Sequence, residues 1–154
     1  MSTYEMQVAI AAIISGAATS AKVIPRNILN ELGSGNFAMV EVGGVVDGWF
    51  VSMDELKLVE KGQNYAVFNY GFAVWQVRGY QTGNNTSNSE KSFLDEMDLV
   101  VAAFMAVDVS DAFLSRLDPP SFYESGLFPR TGANGMPIHI NKGRCWARGV
   151  KVGC

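Results

Sequence analysis

The chain has 154 residues, 48% of them hydrophobic, and a formal net charge of −3. That length suits one ordinary domain, which buries roughly 70% of the surface its unfolded form exposes, so folding requires no metal or disulfide. Two cysteines and one histidine exclude a disulfide scaffold and a His-rich metal site. We therefore expect a single intracellular domain spanning residues 1–154, with free thiols and no cofactor.

The first predicted element is a helix in the alanine-rich segment near the N-terminus. Tyr4, Val8 and Ala11 recur at helical spacing, with Ile14 or Gly16 as the next member of the series, which predicts that they form one side of the helix, the buried one. The residues before this segment carry Glu5 and neither Lys nor Arg, so their charge is wrong for a signal peptide. We therefore interpret the segment as part of the folded domain.

A strand-rich region is predicted to follow. Residues 27–32 are expected to form a short helical turn, and 37–42, 45–52 and 56–59 are predicted strands separated by glycine-containing segments. Asp47-Gly48 favours a tight turn, because glycine adopts the positive φ that such turns demand.

The tract from 65 to 105 carries the clearest local pattern. Residues 65–80 are rich in β-branched and aromatic side chains, which predicts a long strand. Ser87 followed by Glu90 forms a capping-box pattern, which predicts a helix start. The predicted apolar side of this helix comprises Phe93, Leu94, Met97, Val100, Val101, Phe104 and Met105. Its predicted polar side comprises Asp95, Glu96 and Asp98.

The remainder is predicted to contain a loop and a closing hairpin. Asp108 or Ser110 is expected to cap a short helical continuation. Residues 121–135 carry Gly and Pro without a sustained period, which predicts a long loop or partner-contacting arm. Residues 136–142 and 144–152 are predicted to be two strands that turn near 141–143. The chain is thus predicted to be α+β, with an antiparallel or mixed sheet, one main amphipathic helix across it and an N-terminal helix.

Charge is distributed unevenly along the chain. Residues 86–124 contain eight acids and two bases, whereas the residues after Glu124 contain five bases and no acid. Each run is explained by a solvated surface, but together they also permit an acidic face on one subunit to meet a basic face on another. The candidate acids are Glu90, Asp95, Glu96 and Asp98. The candidate basic interface residues are Arg130, Lys142, Arg144, Arg148 and Lys151, which are too dilute to indicate sequence-specific nucleic-acid binding.

The sequence contains no supported catalytic site. His139 lies between two isoleucines in a predicted strand, which favours a packed or surface residue, and a pairing with Cys145 across the predicted hairpin has no supporting signature. Residues 33–38 match G-x-G-x-x-A, but a helical stretch precedes them and a strand-like run follows, the reverse of a dinucleotide site. The chain is therefore not expected to be an enzyme. The three tryptophans are predicted core or cross-strand residues, with subunit contacts as the alternative: Trp49, Trp75 and Trp146.

Several features occur in a distinctive order. A long strand ends in Val77-Arg78-Gly79-Tyr80, an Asn/Ser-rich loop follows, and the helix 90–105 carries Phe93 and Asp98. A final strand pair includes Ile138-His139-Ile140 and residues 146–152. This arrangement resembles the tail terminator proteins of long-tailed bacteriophages over residues 65–152, and more loosely over the first helix. The resemblance rests on element order and pattern, since these proteins share no catalytic signature.

The resemblance implies a virion structural protein of the tail or neck, assembled in the host cytoplasm. It would form a homo-oligomeric ring, a hexamer, that caps the tail tube and joins it to the neck. Its partners would be the tail tube protein and the sheath and neck or connector proteins, with no membrane contact. DNA would pass through the lumen without sequence-specific binding, and the candidate acids would line that lumen or an interface.

Two alternatives remain open. A tail tube or other neck subunit would also pair a sheet with one flanking helix. A small-ligand-binding or enzymatic α+β domain would instead use the crevice between sheet and helix.

Overall fold

The computed structural model describes residues 2–80, 86–107, 116–128 and 137–153. Its elements are α1 (Thr3–Ala17), β1 (Lys22–Ile24), α2 (Leu29–Gly33), a 3₁₀ helix (Ala38–Val40), β2 (Glu41–Val42), β3 (Val45–Lys61), β4 (Tyr65–Gly79), α3 (Thr86–Met105), β5 (Arg116–Leu117), β6 (Ser121–Phe128) and β7 (Ile138–Val152). Helices and a curled mixed sheet are combined in an α+β fold, which confirms the predicted class.

The sheet is built around three long antiparallel strands in the order β3-β4-β7. The β4–β7 register runs without interruption from Tyr65 opposite Val152 to Gly79 opposite Ile138. On the far side of β3, β1 pairs in parallel and β2 in antiparallel orientation. On the far side of β7, β5 and β6 both pair antiparallel. The long β4 strand confirms the prediction for residues 65–80.

Each face of the sheet has its own hydrophobic cluster. The first face, here called the helix-covered face, packs against α1 and α3. Its principal core residues are Met6, Ile10 and Ile14 of α1, Val100 and Phe104 of α3, Trp49 and Val51 of β3, and Tyr70, Phe72 and Val74 of β4. The second, here called the opposite face, is covered at one end by the segment from α2 to the 3₁₀ helix. Its principal core residues are Ile28, Phe37, Val40, Val46, Phe50, Val77 and Ile138.

The N-terminal helix is confirmed, but its predicted buried side was partly wrong. Met6, Ile10 and Ile14 are buried together with Ala11, whereas Tyr4 is exposed and Val8 is also largely exposed. An alanine-rich helix offers a weak amphipathic signal, so its rotation depends on which side chains the sheet accepts.

The predicted turn at Asp47-Gly48 was wrong. The chain turns instead at Gly43 and Gly44, between β2 and β3, where the φ angles are +60° and +82°. Gly48 lies inside β3, where an added Cβ would stand 2.5 Å from the side chain of Val40. This glycine therefore serves close packing, while β3 continues through the two irregularities near residues 54 and 59 instead of ending at 52.

The predicted long loop at 121–135 was wrong in its first half, because residues 121–128 form β6 against β7. Residues 129–135 of that loop lie outside the described residues. The predicted hairpin turn near 141–143 was also wrong, since β7 is one strand of 15 residues. Gly143 is needed in mid-strand because its missing side chain leaves room for Phe122, which would lie 2.7 Å from an added Cβ.

Candidate functional site

A buried polar cluster joins α3 to the sheet. The Glu96 carboxylate accepts hydrogen bonds from Trp49 Nε1 at 2.7 Å, Gln76 Nε2 at 3.3 Å and Arg78 at 2.6 Å. Arg78 also pairs with Asp47 at 3.0 Å. Three donors from β3 and β4 converge on this one carboxylate of α3, so the cluster holds the helix against those strands in one register.

The cluster extends to β7 through amide side chains. Gln76 donates to the carbonyl of Phe93 at 3.0 Å and accepts from Asn141 at 2.8 Å. Asn141 also receives a hydrogen bond from Ser125 of β6. No buried side-chain nitrogen or oxygen atom in the described part of the chain is left without a hydrogen-bond partner. The polar cluster is therefore internally satisfied and acts as structural reinforcement.

These contacts correct the sequence interpretation of α3. Glu96 is only 8% exposed, so its predicted position on the polar outer side of the helix was wrong. Glu90, Asp95 and Asp98 are exposed as predicted. Glu96 therefore leaves the set of candidate lumen or interface acids, while the other three acids remain at the surface. Glu96 lies three residues after Phe93 and four before Val100, so helical spacing alone indicated its inward position. Its partners come from strands that precede the helix, and the period of α3 does not identify them.

The predicted apolar side of α3 is also narrower than expected. Phe93, Val100 and Phe104 are buried, but Leu94 and Met105 are exposed, Met105 at 72%. The predicted capping box of Ser87 falls on a residue whose side chain lies outside the described part of the structure.

Three of the candidate bases occupy one side of β7. Lys142, Arg144 and Arg148 alternate along the strand and lie on the opposite face, whereas Lys151 lies on the helix-covered face. Lys142 pairs with Glu124 at 3.3 Å and its ammonium lies 4.7 Å from the ring centre of Trp75. Arg144 pairs with Asp54, and Arg148 donates to Asn69 at 2.9 Å. The three bases on the opposite face are thus engaged within the subunit; Arg130 lies outside the described residues.

The sheet continues well beyond its helical cover. We call this part the sheet extension: residues 54–61 of β3, 65–69 of β4 and 148–152 of β7. At about 3.3 Å per residue, the β3 segment alone is about 26 Å long. Residues 54–61 are all exposed, whereas residues 48–52 of the same strand are all buried.

The sheet extension exposes apolar side chains. Leu56 is 49% exposed and Leu58 is 50% exposed. Val59, Tyr65 and Val152 are also exposed. Several large apolar side chains grouped on one projecting element are typical of a contact surface rather than of a solvated edge.

The edge of β3 is uncovered along the same stretch. β1 pairs with β3 only at residues 48–50, and the Gln7 side chain donates to the carbonyl of Val51 at 2.8 Å. Beyond Val51, no described strand pairs with β3 on this side. The two irregularities and the charges of Lys57, Glu60 and Lys61 discourage uncontrolled strand addition there.

The only histidine lies beside a cavity of about 260 Å³ at the start of α3. His139 is buried between Tyr80 and Phe93, with ring centres 6.2 Å and 5.1 Å away. Its Nε2 is 3.2 Å from Ser89 Oγ. Burial lowers the pKa of His139 below its usual value, and the positive charge of Arg78 lowers it further, although Glu90 acts in the reverse direction. The ring is therefore held neutral among aromatic neighbours.

The serine that contacts His139 does not open onto this cavity. The hydroxyl of Ser89 is buried and does not line the cavity, which is bounded instead by Tyr80, Glu90, Phe93, Leu94, Ser125, Gly126 and His139. Cys145 is no partner for His139, because both lie on β7 six residues apart, a separation of about 20 Å. Burial raises the pKa of the Cys145 thiol to about 12, so it is a packed thiol and not a nucleophile.

The described residues contain neither a metal-binding cluster nor a helix that could span a membrane. No cluster of three or more His, Cys, Asp or Glu side chains there is placed to hold a metal ion. None of the helices in the same ranges is both long and apolar enough to cross a bilayer. Residues 33–38, which match the dinucleotide pattern, run from the end of α2 into the 3₁₀ helix, so they do not join a strand to the start of a binding helix.

Comparison with known proteins assigns the chain to no family. No protein-family model matches the chain, and no curated protein matches it.

Proposed function

We propose that the protein is a structural subunit that assembles with copies of itself through the sheet extension. The observation that carries this proposal is the exposure of Leu56 and Leu58 on β3, within the sheet extension. An extension of this kind adds little to the stability of an isolated chain, because its apolar side chains stay in water. A partner that covered the exposed apolar side chains of the extension would stabilise the assembly by roughly 25 cal/mol for each Å² of apolar surface removed from water.

Within this class we propose a phage tail terminator: a hexameric ring that caps the tail tube, joins it to the neck and lets DNA pass through its lumen. The order of elements supports this role, since the long β4 strand feeds α3 and the long β7 strand returns beside β4. The resemblance was drawn on this order up to α3, but the final strand pair on which it also rested is here one continuous strand, β7. The proposed partners are therefore the tail tube protein and the sheath and neck or connector proteins, in the virion.

Oligomeric mass is the first test. Size-exclusion chromatography with light scattering is expected to give about 100 kDa, which is the mass of six chains of 16.7 kDa. The variant Leu56→Ser/Leu58→Ser is expected to dissociate, because it removes the apolar contact surface. Leu29→Ser changes another exposed leucine, on α2, and serves as the matched control. A wild-type chain that remains monomeric at every concentration would overturn the proposal.

A tail tube or other neck subunit is the nearest alternative. Both roles require self-association, but tube subunits stack into filaments whereas a terminator stops at one ring. Negative-stain microscopy of the purified assembly separates them by particle length. Filaments of increasing length would indicate a tube protein instead of a terminator. The protein would still be a structural subunit.

The cavity beside His139 favours a second candidate, a domain that binds a small ligand. Aromatic walls with a histidine and an acid at the rim are typical of small-molecule pockets, although this one is small. A rise in the melting temperature with a compound from a metabolite panel would support that candidate. The rise should be absent in the Phe93→Ala variant, provided that circular dichroism shows the same secondary structure as wild type. A monomer in solution would be expected to accompany it.

A further inference from the structure

The helix-covered face of the sheet extension has a simple chemistry. Leu56 lies opposite Tyr70 and Leu58 opposite Phe68, so both leucines share the face on which Tyr70 and Phe68 join the core. Directly opposite side chains of an antiparallel pair lie on the same face. This surface is therefore apolar where it leaves the helical cover.

The same face carries two lysines at its end. Ala66 is opposite both Lys61 and Lys151 in the register, which places the two exposed ammonium groups on either side of it. Among the register-paired residues of the extension, no acid falls on this face. Its surface is apolar and positively charged.

The exposed side of α3 has the complementary chemistry. We call it the outer surface of α3: Asp95, Asp98, Leu99, Ala102 and Met105, each of which lies three or four residues from another member and all of which are exposed. Leu99 is 59% exposed and Met105 is more exposed still. Asp95 pairs with the exposed Lys91 at 2.6 Å on the same helix, a solvent-exposed contact that a partner's lysine can replace. A helix surface with large apolar side chains beside two acids is suited to an apolar, basic partner.

The two surfaces lie at different ends of the subunit. Lys151 contacts Thr3 at the start of α1, with 3.4 Å between Nζ and Oγ1. Asp95 and Leu99 line a surface hollow with Ala17 and Ala18 at the end of α1. A helix of 15 residues is about 22 Å long, so Asp95 and Leu99 are separated from Lys151 by about that distance.

We propose that the helix-covered face of the sheet extension binds the outer surface of α3 on a second copy of this chain. This proposal rests on the proposed function in that it requires self-assembly, and it specifies the interface. Lys61 and Lys151 would meet Asp95 and Asp98, while Leu56 and Leu58 would cover Leu99. Because two different surfaces meet, the contact is head-to-tail and leaves one surface of each kind free for the next subunit. Such contacts close into a ring when the rotation between subunits permits it.

Charge reversal in two separate chains tests the pairing. The first variant carries Lys61→Glu and Lys151→Glu, and the second carries Asp95→Lys and Asp98→Lys. Each alone brings like charges together at every contact, so the concentration for half assembly is expected to rise at least about tenfold. Mass photometry over a dilution series gives that concentration, and circular dichroism confirms that each variant is folded.

The decisive step is mixing the two variants. In an alternating ring, each reversed extension meets a reversed α3 and each native extension meets a native α3, so every contact is again between opposite charges. Assembly of the mixture is expected to return to within about threefold of wild type. Lys57→Glu is the matched control, because Lys57 lies opposite Asn69 on the other face of the same strand and is expected to change assembly less than about threefold.

The possible results are distinct. If the wild-type chain forms a ring and both variants assemble at the same concentration as wild type, this interface is overturned. A mixture of the two variants that stays dissociated would overturn it as well. Either result would leave the proposed function standing. Dissociation by the lysine reversals alone would indicate that the extension meets an acidic surface other than Asp95 and Asp98, and it would also overturn this interface. A wild-type monomer would remove both the interface and the proposed function.

Discussion

The covered part of the sheet and the sheet extension are built from the same three strands, yet they differ in what holds them. In β3, Trp49 and Val51 are completely buried, whereas Leu56 and Leu58 in the same strand are about half exposed. The covered part also contains the ionic contacts of Glu96 and Arg78. The difference shows that strand pairing alone does not define a core, because the core of the helix-covered face forms only where helices α1 and α3 pack on the sheet.

The largest expected effect is in the covered part. Glu96→Ala should lower the free energy of unfolding by about 3–5 kcal/mol, because it leaves the Arg78 guanidinium buried without its main carboxylate partner. Urea denaturation measures this loss. The matched control is Asp95→Ala, one residue away on the exposed side of α3, which should change stability by less than about 0.5 kcal/mol. Equal effects of the two substitutions would contradict the burial of Glu96.

An intermediate effect is expected from the protonation of His139. Its pKa is lowered by burial, so in the range just below its usual value of 6.5 the unfolded chain binds a proton that the folded chain does not. Stability should therefore fall as the pH falls through that range and should level off below the folded-state pKa. His139→Gln should remove this contribution, which urea denaturation between pH 7 and 5 would reveal as a difference in slope from wild type. Parallel slopes for the two proteins would contradict a histidine held neutral.

The smallest expected effect is in the sheet extension. In dissociated subunits, Leu58→Ala should change the free energy of unfolding by less than about 0.5 kcal/mol, because the side chain is half exposed and leaves no closed cavity. Val51→Ala in the same strand removes two buried methyl groups and should cost at least about 1.5 kcal/mol. Both are measured by urea denaturation at a concentration where subunits are dissociated. A large loss from Leu58→Ala under those conditions would mean that the subunit itself covers the extension.

Local pattern was sufficient where one element determines its own structure. The β-branched and aromatic residues of 65–79 predicted β4, and the apolar spacing of Phe93, Val100 and Phe104 predicted α3. The order of helices and strands then predicted the α+β class. It also excluded a dinucleotide site at 33–38, because the flanking elements are in the wrong order.

Local pattern failed where a distant contact decides the outcome. Asn141-Lys142-Gly143 has the composition of a turn, but β4 and β6 pair with both edges of this segment and hold it extended. Residues 121–128 contain Ser, Gly and Glu without a strand period, and they become β6 only because the edge of β7 accepts them. The periodicity of a single segment contains no information about either pairing.

The candidate site divides in the same way. The acid and base runs were visible in the sequence, and the exposure of Glu90, Asp95 and Asp98 followed from the period of α3. The bases of the proposed interface were not all visible, since Lys61 belonged to no charge run and gained significance only from its position opposite Ala66. The apolar surface of Leu56 and Leu58 was equally hidden, because a strand of this composition is compatible with a buried core.

By itself, the sequence determined the class of the fold, the long strand that feeds the main helix, and the uneven distribution of charge. These properties depend on side-chain periodicity and composition, which are local. Only the tertiary structure decided which side chains pair with Glu96, that β7 is continuous, and that the three long strands extend beyond the helices. Those outcomes depend on which side chains from distant segments meet, and a hydrogen bond from Trp49 to Glu96 joins residues 47 positions apart.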